Sequence, residues 1–355
     1  MPIGSIQNVE IRGIVTSVPP QIRQNSDFLD RFAETDIQKM EKMTGIKERR
    51  VVEDDVTTSD LCFHAATVLL KRLDWDPKTV DAIIFVSQTP DYTLPATACV
   101  LQHRLNLSTS CAAFDINLGC SGYVYGIWQA ASLIGSGMLK RVLLLVGDTC
   151  TKFCSPLDSS TVFLFGDAGS ATALEYSAAA FKMDFVLGSD GSGEHHLIIP
   201  SGGFRSPTRA QDLERTPQLD HFSRNRLDLY MNGSEIFNFT LRRVPELYHD
   251  LMAIDASATE PDQVVFHQAN GFMLNHLAKK LKLSPEKVPT SIDYFGNTSS
   301  ASIPLTMAKA WNKKAAGPTN YVLMGFGVGF SWAAARIRLA PTAIVTLETY
   351  ESELV

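Results

Sequence analysis

Four short runs of consecutive apolar residues stand out along the chain: "AIIFVSQT" (82–89), "VLLLVGDT" (142–149), "VVFHQAN" (264–270) and "YVLMGFG" (321–327). Segments of helix length separate them. Runs of this kind predict strands buried on both faces, and their alternation with helices predicts an α/β protein. The segment "GFMLNHLAKKLKL" (271–283) carries the helical period, with Leu274, Leu277 and Leu281 on one face and Lys279, Lys280 and Lys282 turned away. It reads as an amphipathic helix.

The pattern also repeats. "DINLGC" (115–120) and "DYFGN" (293–297) each run from Asp through Gly to a polar residue followed by small helix starters, so Cys120 and Asn297 read as counterparts at two strand ends. "FLFGDAGSATALEY" (163–176) and "VLMGFGVGFSWAAARI" (322–337) each read as apolar strand, glycine-rich turn, apolar strand. Two matches in the same order predict a duplicated unit. Between Pro200 and Leu229 the pattern lapses into a polar, turn-rich stretch that is long for a connection inside a compact domain. Its Arg205, Arg209, Arg215, Arg224 and Arg226, set against Asp212, Glu214 and Asp220, read equally as a solvated surface or as part of a functional loop.

Composition narrows the class. The chain has 355 residues, 45% hydrophobic and 20% charged, enough apolar material for one large core or two smaller ones. A net charge of −6 gives no global attraction to nucleic acid or an anionic membrane. The opening "MPIGSIQNVEIRGIV" has neither the basic nor the apolar region of a signal peptide, and no segment reaches membrane-span length, so a cytoplasmic protein is expected. Six cysteines at irregular spacing speak for reduced thiols rather than a disulfide framework. Neither Cys150 and Cys154 nor His195 and His196 form a metal-ligand pattern, and no metal is assigned.

Three residues carry candidate chemistry. Cys120, in "DINLGCSGYVYG", lies where a strand gives way to a helix, and there the unpaired N–H groups and positive dipole end of the helix would favour a thiolate. Gly119 and Gly122 would permit a sharp elbow and close approach by a substrate. His267 stands at the end of an apolar strand in "VVFHQAN", and Asn297 stands in "FGNTSSAS". Each alone reads as well as a buried thiol, a structural histidine or a turn residue. Together at strand ends of a duplicated fold, His and Asn can donate two hydrogen bonds to one oxygen.

"GCSG" with Cys120, "HQAN" with His267 and "GNTSSAS" with Asn297, together with "TGIKERR" near residue 44 and "GFGVGFSW" near the end, resemble the β-ketoacyl-acyl-carrier-protein synthase III family of the thiolase superfamily. The resemblance runs in order through nearly the whole chain. It implies a five-layered αβαβα thiolase-like fold of two similar halves, 1–178 with Cys120 and 179–355 with His267 and Asn297, an inserted loop at about 200–228, and a homodimer. It implies an acyltransferase without cofactor, in which Cys120 takes an acyl group from a thioester. His267 and Asn297 would then hold the thioester oxygen of a malonyl-type extender while CO₂ leaves, and the enolate would attack the acyl-cysteine. Backbone N–H groups of Cys120 and Val328 would form the oxyanion hole, with Val328 standing where the family usually has glycine and narrowing the space above. Donors for a developing oxyanion and no strong base near the carbanion suit decarboxylation on physical grounds as well.

The same resemblance implies substrate contacts at Thr35, Lys152, Gly233 and Ser234, and at Ala269, Asn270 and Phe326. Leu229 and Phe237 would line the acyl pocket, into which Leu94 of the neighbouring subunit would reach. At the positions of the Trp and two Arg residues with which the family holds the coenzyme A nucleotide, this chain has Lys39, Met43 and Phe272, and Ser234 replaces a family Asn. Arg242, Arg243, Lys279 and Lys280 keep a basic patch suited to docking an acidic carrier. The expected donors are acyl carrier protein and/or acyl-coenzyme A thioesters, with the balance toward the carrier protein. Alternatives are a relative that moves the acyl group from Cys120 to a hydroxyl or amine, and a non-catalytic dimer subunit that scaffolds another synthase.

Overall fold

All four apolar runs form strands. In the computed structural model, which describes residues 2–217, 223–311 and 317–352, they become β3 (Ala82–Val86), β5 (Arg141–Thr149), β8 (Gln263–Phe266) and β9 (Thr319–Gly327) once the strands of the two large sheets are numbered in chain order. The others are β1 (Ile3–Ile6), β2 (Val9–Val18), β4 (Ala112–Ile116), β6 (Asp167–Tyr176), β7 (Met183–Ser189), β10 (Ser331–Leu339) and β11 (Ile344–Thr349). One sheet has the order β11-β2-β6-β5-β3-β4, the other β1-β7-β10-β9-β8. Inside each sheet the same path appears. β3 lies parallel to β5, β5 antiparallel to β6 and β6 antiparallel to β2, while β8, β9, β10 and β7 repeat that series. This is the duplication that the sequence repeats suggested, with different strand equivalences. Phe163 and Leu164 form a turn and Phe165 makes only an isolated bridge to Asn297, so the strand that precedes and pairs with β6 is β5, further upstream.

Helices fill the spaces in a fixed order. α2 (Thr58–Leu73) and α3 (Thr97–Arg104) cover the outer face of the first sheet. α4 (Gly122–Gly135) and α7 (Ser302–Ala310) lie between the sheets and touch both. α5 (Gly233–Ala253) and α6 (Gly271–Lys280) cover the outer face of the second sheet, with α1 (Glu34–Thr44) beside α6. The result is five layers, αβαβα. The layers follow from apolar area: β3 is buried at every position, and α4 buries Tyr123, Val124, Ile127, Ala130, Ala131 and Ile134 against both sheets. α6 turns Leu274 and Leu277 inward and exposes Lys279 and Lys280, as its period predicted.

The chain's two ends cross over. β1 pairs with β7 in the second sheet, and β11 lies parallel to β2 in the first. Among the described residues no helix is long and apolar enough to cross a membrane.

Three arginines latch down the stretch after Pro200, while Arg205 and Arg209 stand exposed on its surface. Arg224 pairs with Asp158 at 2.6 Å, both buried; Arg215 meets Asp228 at 2.7 Å and Ser155 Oγ at 2.6 Å; Arg226 meets Asp212 at 3.0 Å and Ser201 Oγ at 3.1 Å. Asp220 lies outside the described residues.

Candidate functional site

Cys120 follows β4 and stands two residues before α4, with only 7% of its surface exposed. Neither flanking glycine has a positive φ, so the elbow itself does not require them. Space does. A Cβ on Gly119 would strike the Gln88 side chain, one on Gly122 would lie 2.7 Å from Val86 Cγ1, and one on Gly327, facing across from β9, would lie 2.7 Å from Cys120 Sγ. The Val328 N–H, in the turn between β9 and β10, hydrogen-bonds to the thiol.

His267 is the first residue after β8, where its own N–H donates to the Met324 carbonyl of β9 at 2.8 Å. Its ring is held by Ser302 Oγ, 2.8 Å from Nδ1, and meets Phe326 edge-on at 5.6 Å. Asn297 does not follow a strand: it comes after a helical turn, Ile292–Phe295. Its N–H donates to Leu164 O at 2.9 Å and its carbonyl accepts from Gly166 N–H at 3.1 Å, so the turn before β6 fixes its place.

Ser299 joins all three. Its N–H donates to Asn297 Oδ1 at 2.9 Å, its side chain hydrogen-bonds with Cys120, and its carbonyl accepts from His267. To do so it adopts φ of +48°, the left-handed region that residues other than glycine occupy sparsely. Such strain gathers where surrounding contacts over-determine the backbone.

Burial dominates the electrostatics. It pushes the Cys120 thiol up to about 11, a rise that the nearby Asp148 charge adds to and the Val328, Ser299 and Cys120 hydrogen bonds oppose. The expected lowering by the helix end is therefore outweighed, and the resting residue is a neutral thiol. Burial likewise pulls His267 down to about 3, leaving a neutral imidazole at physiological pH.

A cavity of about 490 Å³ lies over Cys120, walled by Phe153, Phe165, Leu229, Ser299 and Val328, with Ser201–Gly203 from the inserted stretch closing one side. A second, of about 640 Å³, opens between α1, α5 and α6 and is lined by Met40, Met43, Leu164, Phe237, Phe272 and Met273.

Comparison with known proteins bears on what this geometry belongs to. The family model described as 3-oxoacyl-[acyl-carrier-protein] synthase III matches residues 114–191, and the one for its C terminal matches 251–339. The beta-ketoacyl-[acyl-carrier-protein] synthase III of a Roseiflexus species is 36% identical over 91% of this chain and 95% of its own length; that of Clostridioides difficile is 33% identical over 92% and 97%. The crystal structure of a 3-oxoacyl-(acyl-carrier protein) synthase from Burkholderia xenovorans superposes with a TM-score of 0.92 at 44% identity, covering 98% of this chain and 99% of that one. The chain belongs to the 3-oxoacyl-acyl-carrier-protein synthase III family. Its thiolase-like fold follows, and β11 lies beyond the end of the family's C-terminal model.

The synthase III positions named from sequence fall into groups. Leu229 and Val328 line the Cys120 cavity, while Gly233, Ser234, Phe237 and Asn270 line the second one together with Met43 and Phe272, which are 50% and 55% exposed. Phe326 reaches the site through His267, and Ala269 packs half-buried beside it with its N–H on the His267 carbonyl. Other residues stand apart. Thr35 lies on an exposed part of α1, and Lys152 turns away to the Asp54 carbonyl at 2.8 Å. Leu94 is 78% exposed. Of the basic patch, Arg243 stacks on Trp332 and pairs with Glu246, and Lys280 is tied to the Leu241 carbonyl, whereas Arg242, Lys279 and also Lys39 are exposed.

Sequence reasoning missed Ser299, Ser302 and Asp148. The hydroxyl-rich run after Asn297 and the single acid closing "VLLLVGDT" were the available signals.

Proposed function

We propose that this chain is a cytoplasmic, homodimeric condensing enzyme of synthase III type. The observation that carries the reading is the Ser299 junction, which links one thiol, one neutral imidazole and one carboxamide, with Cys120 and Ser299 in the wall of a mostly apolar cavity. Cys120 attacks the carbonyl of an acyl thioester, with the oxyanion held by the N–H groups of Cys120 and Val328. The bond to the carrier sulfur breaks, and the Cys120 proton leaves with the departing thiol. A malonyl thioester then enters, and its thioester oxygen accepts hydrogen bonds from His267 and Asn297. The carbon–carboxylate bond breaks, CO₂ departs, and the electron pair becomes an enolate. The enolate carbon attacks the acyl-cysteine, the carbon–sulfur bond to Cys120 breaks to give a β-ketoacyl thioester, and the expelled thiolate takes a proton from solvent to restore the resting thiol. Ser302 Oγ, which accepts from Gln268 N–H at 3.3 Å and lies 2.8 Å from His267 Nδ1, suits the tautomer with its proton on Nε2.

The preferred donor in this reading is carrier-bound. The second cavity presents Met43 where the resemblance expects a guanidinium, and losing a stacking platform costs about 1–3 kcal/mol per base. Arg242 and Lys279 remain exposed for an acidic partner. Intact-protein mass after incubation with matched acyl-carrier and acyl-coenzyme A thioesters tests this, followed by malonyl thioester with a CO₂ assay. Expected are a Cys120 adduct formed faster from the carrier, slowed by charge reversal at Arg242 and Lys279, and CO₂ release on extension. Faster loading from acyl-coenzyme A overturns the donor preference. An adduct that passes to a hydroxyl or amine without CO₂ replaces condensation by acyl transfer.

A further inference from the structure

The reaction as written gives no task to the buried acid joined to Ser299 and Ser300. Asp148, at the end of β5, is fully buried and lines neither cavity. Its Oδ1 accepts from Gln88 N–H at 2.7 Å, Ser87 Oγ at 3.1 Å and Thr89 Oγ1 at 3.5 Å. Its Oδ2 accepts from Ser300 Oγ at 2.6 Å and Ser300 N–H at 3.1 Å, and the Ser299 side chain also donates to the carboxylate. Burial raises its pKa from the ordinary carboxylate value, and the hydrogen bonds from Ser300, Gln88 and Ser299 oppose that rise by favouring the ionised form. An apolar residue would fill this space without the cost of burying charge, so the carboxylate asks for another explanation.

We propose that Asp148 is the positioning residue of this site: it clamps the strained Ser299–Ser300 turn and thereby holds Asn297 and His267 in register with Cys120. The clamp works through three links. Oδ2 fixes Ser300, the left-handed backbone of Ser299 turns its carbonyl to His267 and its N–H to Asn297, and the Ser299 side chain reaches Cys120. Oδ1 anchors the other side of the clamp to residues 87–89, next to Gln88 in the wall of the Cys120 cavity. Touching no substrate, Asp148 acts on the chemistry through this turn and through its charge near the Cys120 thiol.

The proposal rests on the reading of Cys120, His267 and Asn297 given above, and the first arm of the test examines that reading alone: wild-type protein must form the Cys120 adduct and release CO₂ from a malonyl thioester. Absence of either removes both the reading and the clamp. With that arm positive, Asp148→Asn and Ser300→Ala are compared with wild type for thermal midpoint, condensation kinetics and the pH dependence of Cys120 alkylation by iodoacetamide. The groups facing Cys120 are Asp148 on β5, the Ser299 hydroxyl and Val328 N–H, with Cys150 in the same cavity wall and His267 joined through Ser299. Expected for folded Asp148→Asn is a fall in kcat of about a hundredfold, as for loss of an aligned oxyanion donor, with KM for the malonyl thioester within about twofold. Alkylation at pH 8 should rise about threefold or more, because a negative charge beside the thiol is gone. Ser300→Ala, which loses one donor and keeps the carboxylate, should lose kcat about tenfold with an unchanged alkylation profile. A wild-type kcat in Asp148→Asn, or a loss accounted for by its unfolded fraction while Ser300→Ala keeps full activity, would overturn the clamp.

Discussion

Cys120 is packed so closely that its reactivity is set by single atoms. The Cα of Gly327 faces the thiol, and Gly327→Ala would place a methyl 2.7 Å from both Cβ and Sγ. Neither atom is a flexible chain end, so the expected cost is about 1–3 kcal/mol of stability, with loading slowed roughly tenfold or more as the sulfur shifts. Thermal unfolding and time-resolved intact mass check both parts. Cys120→Ala should take up no acyl group in the same mass assay, and Cys120→Ser should be severely impaired because a hydroxyl is far less ionised. His267→Ala and Asn297→Ala should load normally yet lose decarboxylation by about a hundredfold or more. Burial also fixes the pH behaviour of His267. With its folded value pulled from 6.5 to about 3, the imidazole stays neutral across the working range, and the decarboxylation rate of preloaded enzyme should show no acid limb from this residue near pH 6.5. The sign for stability runs the same way: below about pH 6.5 the unfolded imidazole binds a proton that the folded one refuses until about 3, so its contribution is lost as pH falls. A profile with a limb at 6.5 that vanishes in His267→Asn would contradict the burial argument.

Individual elements show why some of this was legible and some was not. Runs such as "AIIFV" announce a strand because continuous apolar character has one economical fate in a layered fold, and the 271–280 helix declares its faces by period alone. Phe163–Phe165 looks equally apolar, but three residues cannot separate a turn from a strand; what decides it is Asn297, more than a hundred positions away, whose backbone bonds to Leu164 and Gly166. Asn297 was legible as a motif residue and not as a helix-following one, since its local run has too few residues to show a period. Ser299 and Asp148 show locally only as one hydroxyl in a run and one acid at a strand end, and their roles stay hidden because their partners come from separate segments of the chain. The inserted stretch was legible only as long and polar, and its arginines reveal their role only against Asp158 and Ser155. Arg224→Ala should therefore cost about 3–5 kcal/mol, because it strands a buried carboxylate, and should lower the thermal midpoint by several degrees. It should also loosen the Ser201–Gly203 wall of the Cys120 cavity, read as altered loading rates across acyl-chain lengths.

At the scale of the whole molecule, Leu94 is a large apolar side chain standing 78% exposed at the rim, next to a groove lined by Tyr92, Thr93 and Phe204, and β4 leaves the outer edge of its sheet unpaired. In the proposed homodimer these are the features a second copy would cover. Leu94→Asp should accordingly shift the population toward monomer in light scattering at micromolar concentration and reduce turnover, and a monomer with full turnover would count against the shared pocket. The crossing of the chain ends has a different consequence, one that concerns the order of synthesis. β1 has its place beside β7, which begins at Met183 and is made long after it, and the first sheet receives β11 only with residues 344–349. A growing chain can therefore hold most of two sheets and complete neither from its own half, so cooperative closure of the first sheet waits for Ile344–Thr349.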